Sequence, residues 1–107
     1  MNKIVKDDRG ALQKIIFEGK EILLLFTKKG KMRGGDFHNS TQHDVIIKGC
    51  MEFWYPKISC IVKEGEEISF PPNIPHLLIA KEDTISIEWL EGESESQTYK
   101  PYRDLIK

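Results

Sequence analysis

The chain has 107 residues and a formal net charge of −1, with sixteen Lys and Arg against seventeen Asp and Glu. That length suits one domain with one core over residues 1–107. The balanced charge offers no basic excess for nucleic acid or an anionic membrane surface, and no apolar run approaches the ~20 residues that span a bilayer. MNKIVKDDRG lacks the apolar core of a secretory signal, and Cys50 and Cys60 have no metal-ligand spacing, so the expectation is a cytoplasmic protein with free thiols.

In chain order the sequence reads as short β-runs divided by turn signals. IVK comes first and DDRG closes it; ALQKIIF and EILLLFT follow, joined by EGK, and KKGK ends that pair. In RGGDFHNSTQHDVIIKG, from Arg33 to Gly49, Asp36 and His38 stand two apart, so on a strand they project from one face. A turn through Asn39 and Ser40 then returns the chain antiparallel and brings His43 alongside. DVIIK, MEFWY, ISCIVK and EISF continue the series. Phe53, Trp54 and Tyr55 alternate, one face for the core and the other free to stack on a base or sugar. Pro71, Pro72 and Pro75 shape the turn into HLLIA, which begins with His76. In TISIEWL, Ile85, Ile87 and Trp89 share one side while Ser86, Glu88 and Leu90 share the other. EGESESQ is polar and exposed, and only the stretch from Tyr102 to Ile106 suggests a helical turn. Eight or nine strands at this spacing predict an all-β sandwich or barrel.

The offsets among the histidines add a motif. Asp36 opens D-x-H-x4-H with Gly49 six residues beyond His43, and Gly65, Pro71 and His76 make G-x5-P-x4-H. This pair resembles the two motifs of the cupin superfamily, over roughly residues 34–80. The resemblance implies a single-domain jelly-roll β-barrel with an interior site of Asp36, His38, His43 and His76. The chain departs from the pattern twice: Asp36 replaces the first His, and His43 (or Gln42, if the register slips by one) stands where Glu is usual. As metal ligands, Asp36, His38, His43 and His76 suit Zn, Mn, Fe or Ni.

A narrower resemblance rests on the three arginines. D-x-R-G at Arg9, R-G-G-D-F-H at Arg33 and TYKPYRDLI around Arg103 look like the sugar-nucleotide branch, the dTDP-4-keto-6-deoxyhexose 3,4-ketoisomerases and dTDP-4-dehydrorhamnose 3,5-epimerases. That likeness implies isomerisation or epimerisation of a nucleotide-linked keto-sugar with no metal required. His38 would be the base, Asp36 would orient it, and His76 or Tyr55 would be the acid. Arg9, Arg33, Arg103 and Tyr55 would hold the substrate, since a guanidinium fork binds phosphate bidentately. For Arg9 and Arg103 the plainer role is pairing with Asp7, Asp8 and Asp104. Two further readings stay open: a metal-dependent dioxygenase-like or decarboxylase-like cupin, and a ligand-binding cupin without turnover. ALQKIIF and EILLLF carry more apolar surface than one barrel interior needs, which predicts a homodimer through the N-terminal segment.

Overall fold

The computed structural model describes residues 4–56, 58–92 and 95–106. The β-runs form β1 (Ile4–Asp7), β2 (Gly10–Phe17), β3 (Lys20–Thr27), β4 (Met32–His38), β5 (Gln42–Lys48), β6 (Cys50–Tyr55), β7 (Ile58–Lys63), β8 (Glu67–Phe70), β9 (His76–Ala80), β10 (Thr84–Leu90) and β11 (Ser96–Thr98). Among the described residues the one helical turn, α1, spans Lys100–Arg103, earlier than the expected Tyr102 to Ile106, because Pro101 starts it at the first turn. β11 overlaps the stretch read as polar and exposed, and its three residues are exposed. Cys50 and Cys60 are unpaired.

Two antiparallel sheets face each other as a jelly roll. The first runs β1-β2-β3-β10-β5-β8 and the second β11-β4-β9-β6-β7. The expected return of β5 alongside β4 does not occur: β4 pairs with β9 and β11, whereas β5 crosses into the other sheet between β10 and β8. β2 and β3 are joined by a two-residue turn in which Glu18 and Gly19 both have positive φ, 50° and 76°. Such a turn matches the twist of paired strands.

The interior divides along its length. One end is apolar: Ile46, Met51, Phe53, Val62, Phe70, Leu78 and Ala80 form the buried cluster, with Tyr55, Cys60 and Ile68 packed on it. Burying each large side chain there stabilises the fold by about 1.5–3 kcal/mol. The other end is polar, holding His38, Gln42, Asp44 and His76. Phe70 marks the boundary, its ring stacked on His76 with centroids 4.5 Å apart.

Candidate metal and ligand site

A β-bulge creates the site. Along the β4–β9 ladder Arg33 faces Leu78 and Gly34 faces Leu77, but the next pair is Asp36 with His76, so Gly35 is left over. In an unbroken strand the inward side of Arg33 would continue to Gly35 and Phe37. The extra residue reverses that parity and turns Asp36 and His38 inward beside His76. Gly34 and Gly35 have φ of 92° and 76°, a conformation that L side chains avoid. The G-G of RGGDFH is therefore what aims the motif.

Asp36 is the common vertex. Its Oδ1 lies 3.7 Å from His38 Nε2 and 3.5 Å from His76 Nε2, and one ligand atom from each of the three lies within 4.8 Å of the others. Exposure falls from 23% at Asp36 to 9% at His38 and 2% at His76. The opposite nitrogens are tied down: His76 Nδ1 donates to the Ile74 carbonyl at 3.1 Å, and His38 Nδ1 pairs with the Ser96 hydroxyl at 2.6 Å. Donation from Nδ1 leaves His76 Nε2 as the lone-pair nitrogen, and burial lowers the pKa of His76, favouring the neutral imidazole that binds metals. The donor set of two imidazoles and one carboxylate, each imidazole oriented from behind, fits a divalent transition metal.

A pocket of about 930 Å³ opens onto this triad. Asp36 and His38 line its floor, Glu88 and Leu90 one wall, the Glu18–Glu21 hairpin tip one rim, and Gly92 and Ser96 the other. Behind Glu88, Gln42 Nε2 donates to Asp44 Oδ2 at 2.8 Å and to Glu88 Oε1 at 3.1 Å. Asp44 is fully buried, and burial together with the charge of Glu88 raises its pKa well above the ordinary carboxylate value.

His43, expected as a fourth ligand, is not brought to the triad. On β5 the inward residues are Gln42, Asp44 and Ile46, so His43 lies on the outer face, bonded to Glu91 Oε1 at 2.7 Å and Ser69 Oγ at 2.8 Å and stacked on Trp89. The one-residue slip that turns Gln42 inward is the arrangement adopted. Arg33, expected to hold substrate, is instead a clip between the sheets: it donates to Thr27 Oγ1 at 2.7 Å and to the carbonyls of Phe26 and Ala11, and is 6% exposed. Arg9 clamps Asp7 through Nε and Nη2, and its hydrogen bonds hold that carboxyl down at about 2. Arg103 alone among the arginines approaches the triad, its Nη2 3.9 Å from Asp36 Oδ2. Tyr55 sits at the apolar end, edge-on to Phe70 with its hydroxyl 3.6 Å from Cys60 Sγ, and burial pushes its pKa up to about 12.

Sequence reasoning missed Ser96, Asp44 and Glu88. Nothing in EGESESQ singles out Ser96. The alternation of TISIEWL does put Ser86 and Glu88 on one side, but that side carries the polar residues and gave no sign of facing inward.

No family model and no curated protein matches the sequence. Among solved structures, a tryptophan-to-phenylalanine variant of oxalate decarboxylase from Bacillus subtilis superimposes with a TM-score of 0.76 at 18% identity, over 91% of this chain and 30% of that one. A second structure of that enzyme, titled for its Mn(II) centres, gives 0.73 at 18% identity over 84% and 27%. The capsular polysaccharide assembling protein CapF from Staphylococcus aureus gives 0.72 at 19% identity over 87% and 29%. The chain spans less than a third of the length of these proteins. At such identities the likeness establishes the fold alone: this chain is an all-β jelly roll.

Proposed function

We propose that the chain is a small metal-binding cupin in which Asp36, His38 and His76 hold one divalent transition metal at the floor of the pocket, where a small-molecule ligand meets it. One observation carries the reading. Both His Nε2 atoms converge on a single carboxylate oxygen while each Nδ1 is engaged from behind. Two nitrogens and an oxygen gathered in this way on a β-bulge fit a metal-ligand set better than a core hydrogen bond. When bound, such an ion polarises a carbonyl or carboxylate oxygen of the ligand. The protein's own contribution is to fix the donors, to exclude solvent behind His76 and to admit the ligand through the hairpin-rimmed mouth.

A second reading keeps the pocket metal-free and gives His38 the role of base toward a keto-sugar. Its support is His38 itself, held through Nδ1 by Ser96 with Asp36 beside the other nitrogen, which is how a general base is oriented. The diphosphate of a sugar nucleotide finds less support, because Arg33 is engaged in the core and Arg9 by Asp7.

Metal analysis separates the two. EDTA-treated protein titrated with Mn, Fe, Ni and Zn salts should take up about one ion per chain, and His76→Ala should lower the affinity about 100-fold or more while the circular dichroism stays β-type. Absence of stoichiometric uptake for all four metals, or uptake unchanged by His76→Ala, overturns the metal reading.

A further inference from the structure

The wall facing the triad is built around two carboxyls that the metal reading leaves unused. Asp44 on β5 and Glu88 on β10 stand directly opposite each other in the ladder, and both point inward. Like charges so placed repel, and among the described residues neither forms an ion pair with Lys, Arg or His. Such a pair persists when it holds one proton between its members. Burial raises the pKa of both carboxyls, and Asp44 is completely buried whereas Glu88 reaches the pocket, so Glu88 is the member of the pair that a ligand can meet. The Gln42 amide bridges both. Behind this wall three buried polar atoms, Gln42 Oε1, Asp44 Oδ1 and Ser86 Oγ, have no hydrogen-bond partner among the described residues, which marks the layer behind Glu88 as polar and not as apolar core.

The charge around the pocket selects what can occupy it. Glu18, Glu21, Asp36 and Glu88 line it with Lys20, while Arg103 stands beside Asp36 and Lys14 beside Glu21, so Glu18 and Glu88 are the lining carboxyls outside those pairs. In the metal-free pocket an anionic group beside Glu88 meets like charge or a buried carboxyl, and a neutral molecule rich in hydroxyl donors does not.

We infer that Glu88, backed by Asp44 and Gln42, is a second ligand-anchoring site opposite the triad, and that it takes the hydroxyl groups of a neutral polyol of about pyranose size. The inference rests on the reading of this cavity as the ligand pocket and deepens it by naming the ligand class. A carboxylate accepts from two adjacent hydroxyls, and hydrogen bonds to a charged acceptor are the stronger kind.

The test uses EDTA-treated full-length protein and ligand-observed NMR with two neutral probes, methyl α-D-glucopyranoside and methyl β-D-galactopyranoside, and two anionic ones, oxalate and inorganic pyrophosphate. At least one pyranoside should bind saturably, Glu88→Gln should weaken it about tenfold, and the anions should not compete. In wild-type protein carrying 13C-labelled glutamate, the Glu88 carboxyl resonance should move on adding the pyranoside, a readout that stands even if Glu88→Gln folds poorly. No pyranoside binding, binding indifferent to Glu88→Gln with a still Glu88 resonance, or tighter binding of oxalate each overturns the inference. Metal-free conditions keep the outcomes apart: failure here leaves metal uptake through Asp36, His38 and His76 untouched, and failure of metal uptake leaves this titration valid.

Discussion

Replacing Gly35 with alanine tests whether the bulge, rather than the motif, makes the site. At φ of 76° an L residue pays about 1–2 kcal/mol in backbone strain. An added Cβ would also lie 2.9 Å from Arg103 Cα and 3.0 Å from Arg103 N, backbone atoms of α1 that cannot swing aside as a side chain can. Lifting α1 or flattening the bulge adds about 1–3 kcal/mol. Gly30→Ala is the control, because Gly30 has a φ of 84° with nothing within 4 Å of the added atom, so it reports strain alone. With about 4–8 °C per kcal/mol for a domain of this size, calorimetry should show Gly30→Ala melting about 4–16 °C low and Gly35→Ala a further ~4–24 °C below it. If the bulge flattens, parity reverses, Asp36 and His38 leave the interior, and metal affinity should fall about 100-fold in Gly35→Ala but not in Gly30→Ala. Equal melting temperatures for the two variants, with metal affinity unchanged in both, would refute the argument that Gly35 aims the triad.

Other expectations are checked more simply. His43→Ala should leave metal affinity within about twofold of wild type by titration calorimetry, since His43 faces outward between Glu91 and Ser69. Because the folded pKa of Asp44 is raised, the native state holds a proton that the unfolded chain releases near 3.8; the contribution of Asp44 to stability should therefore be most favourable at acid pH and decline as pH rises from about 4 toward the raised folded value. Asp44→Asn should flatten that decline in chemical denaturation run between pH 5 and pH 8. The outer face of the first sheet leaves Phe26, Ile47 and Ile85 at 36%, 46% and 36% exposure, so light scattering should give twice the 12.4 kDa of one chain. Ile85→Lys should return it to the monomer, and a wild-type monomer at micromolar concentration would end the dimer proposal.

Much of this molecule was legible in the sequence. The strands are short runs of branched and aromatic residues between Gly, Pro and Asp turns, and local propensity with period-two alternation is enough to find nearly all of them. The spacing of Asp36, His38 and His76 marked the three residues that meet. Alternation, however, names two faces without saying which is inside. In β10 the apolar side, Ile85, Ile87 and Trp89, lies outward, while Thr84, Ser86 and Glu88 face the barrel. That choice was made by register with β3 and β5, and it hid Glu88 and Asp44 from a reading that looks for apolar interiors. The same cause sent His43 outward: β5 joined the opposite sheet, and its inward parity fell on Gln42. Residues near one another in sequence constrain which atoms share a side of a strand. Only pairing between distant strands, together with one surplus glycine in β4, decides which side is buried.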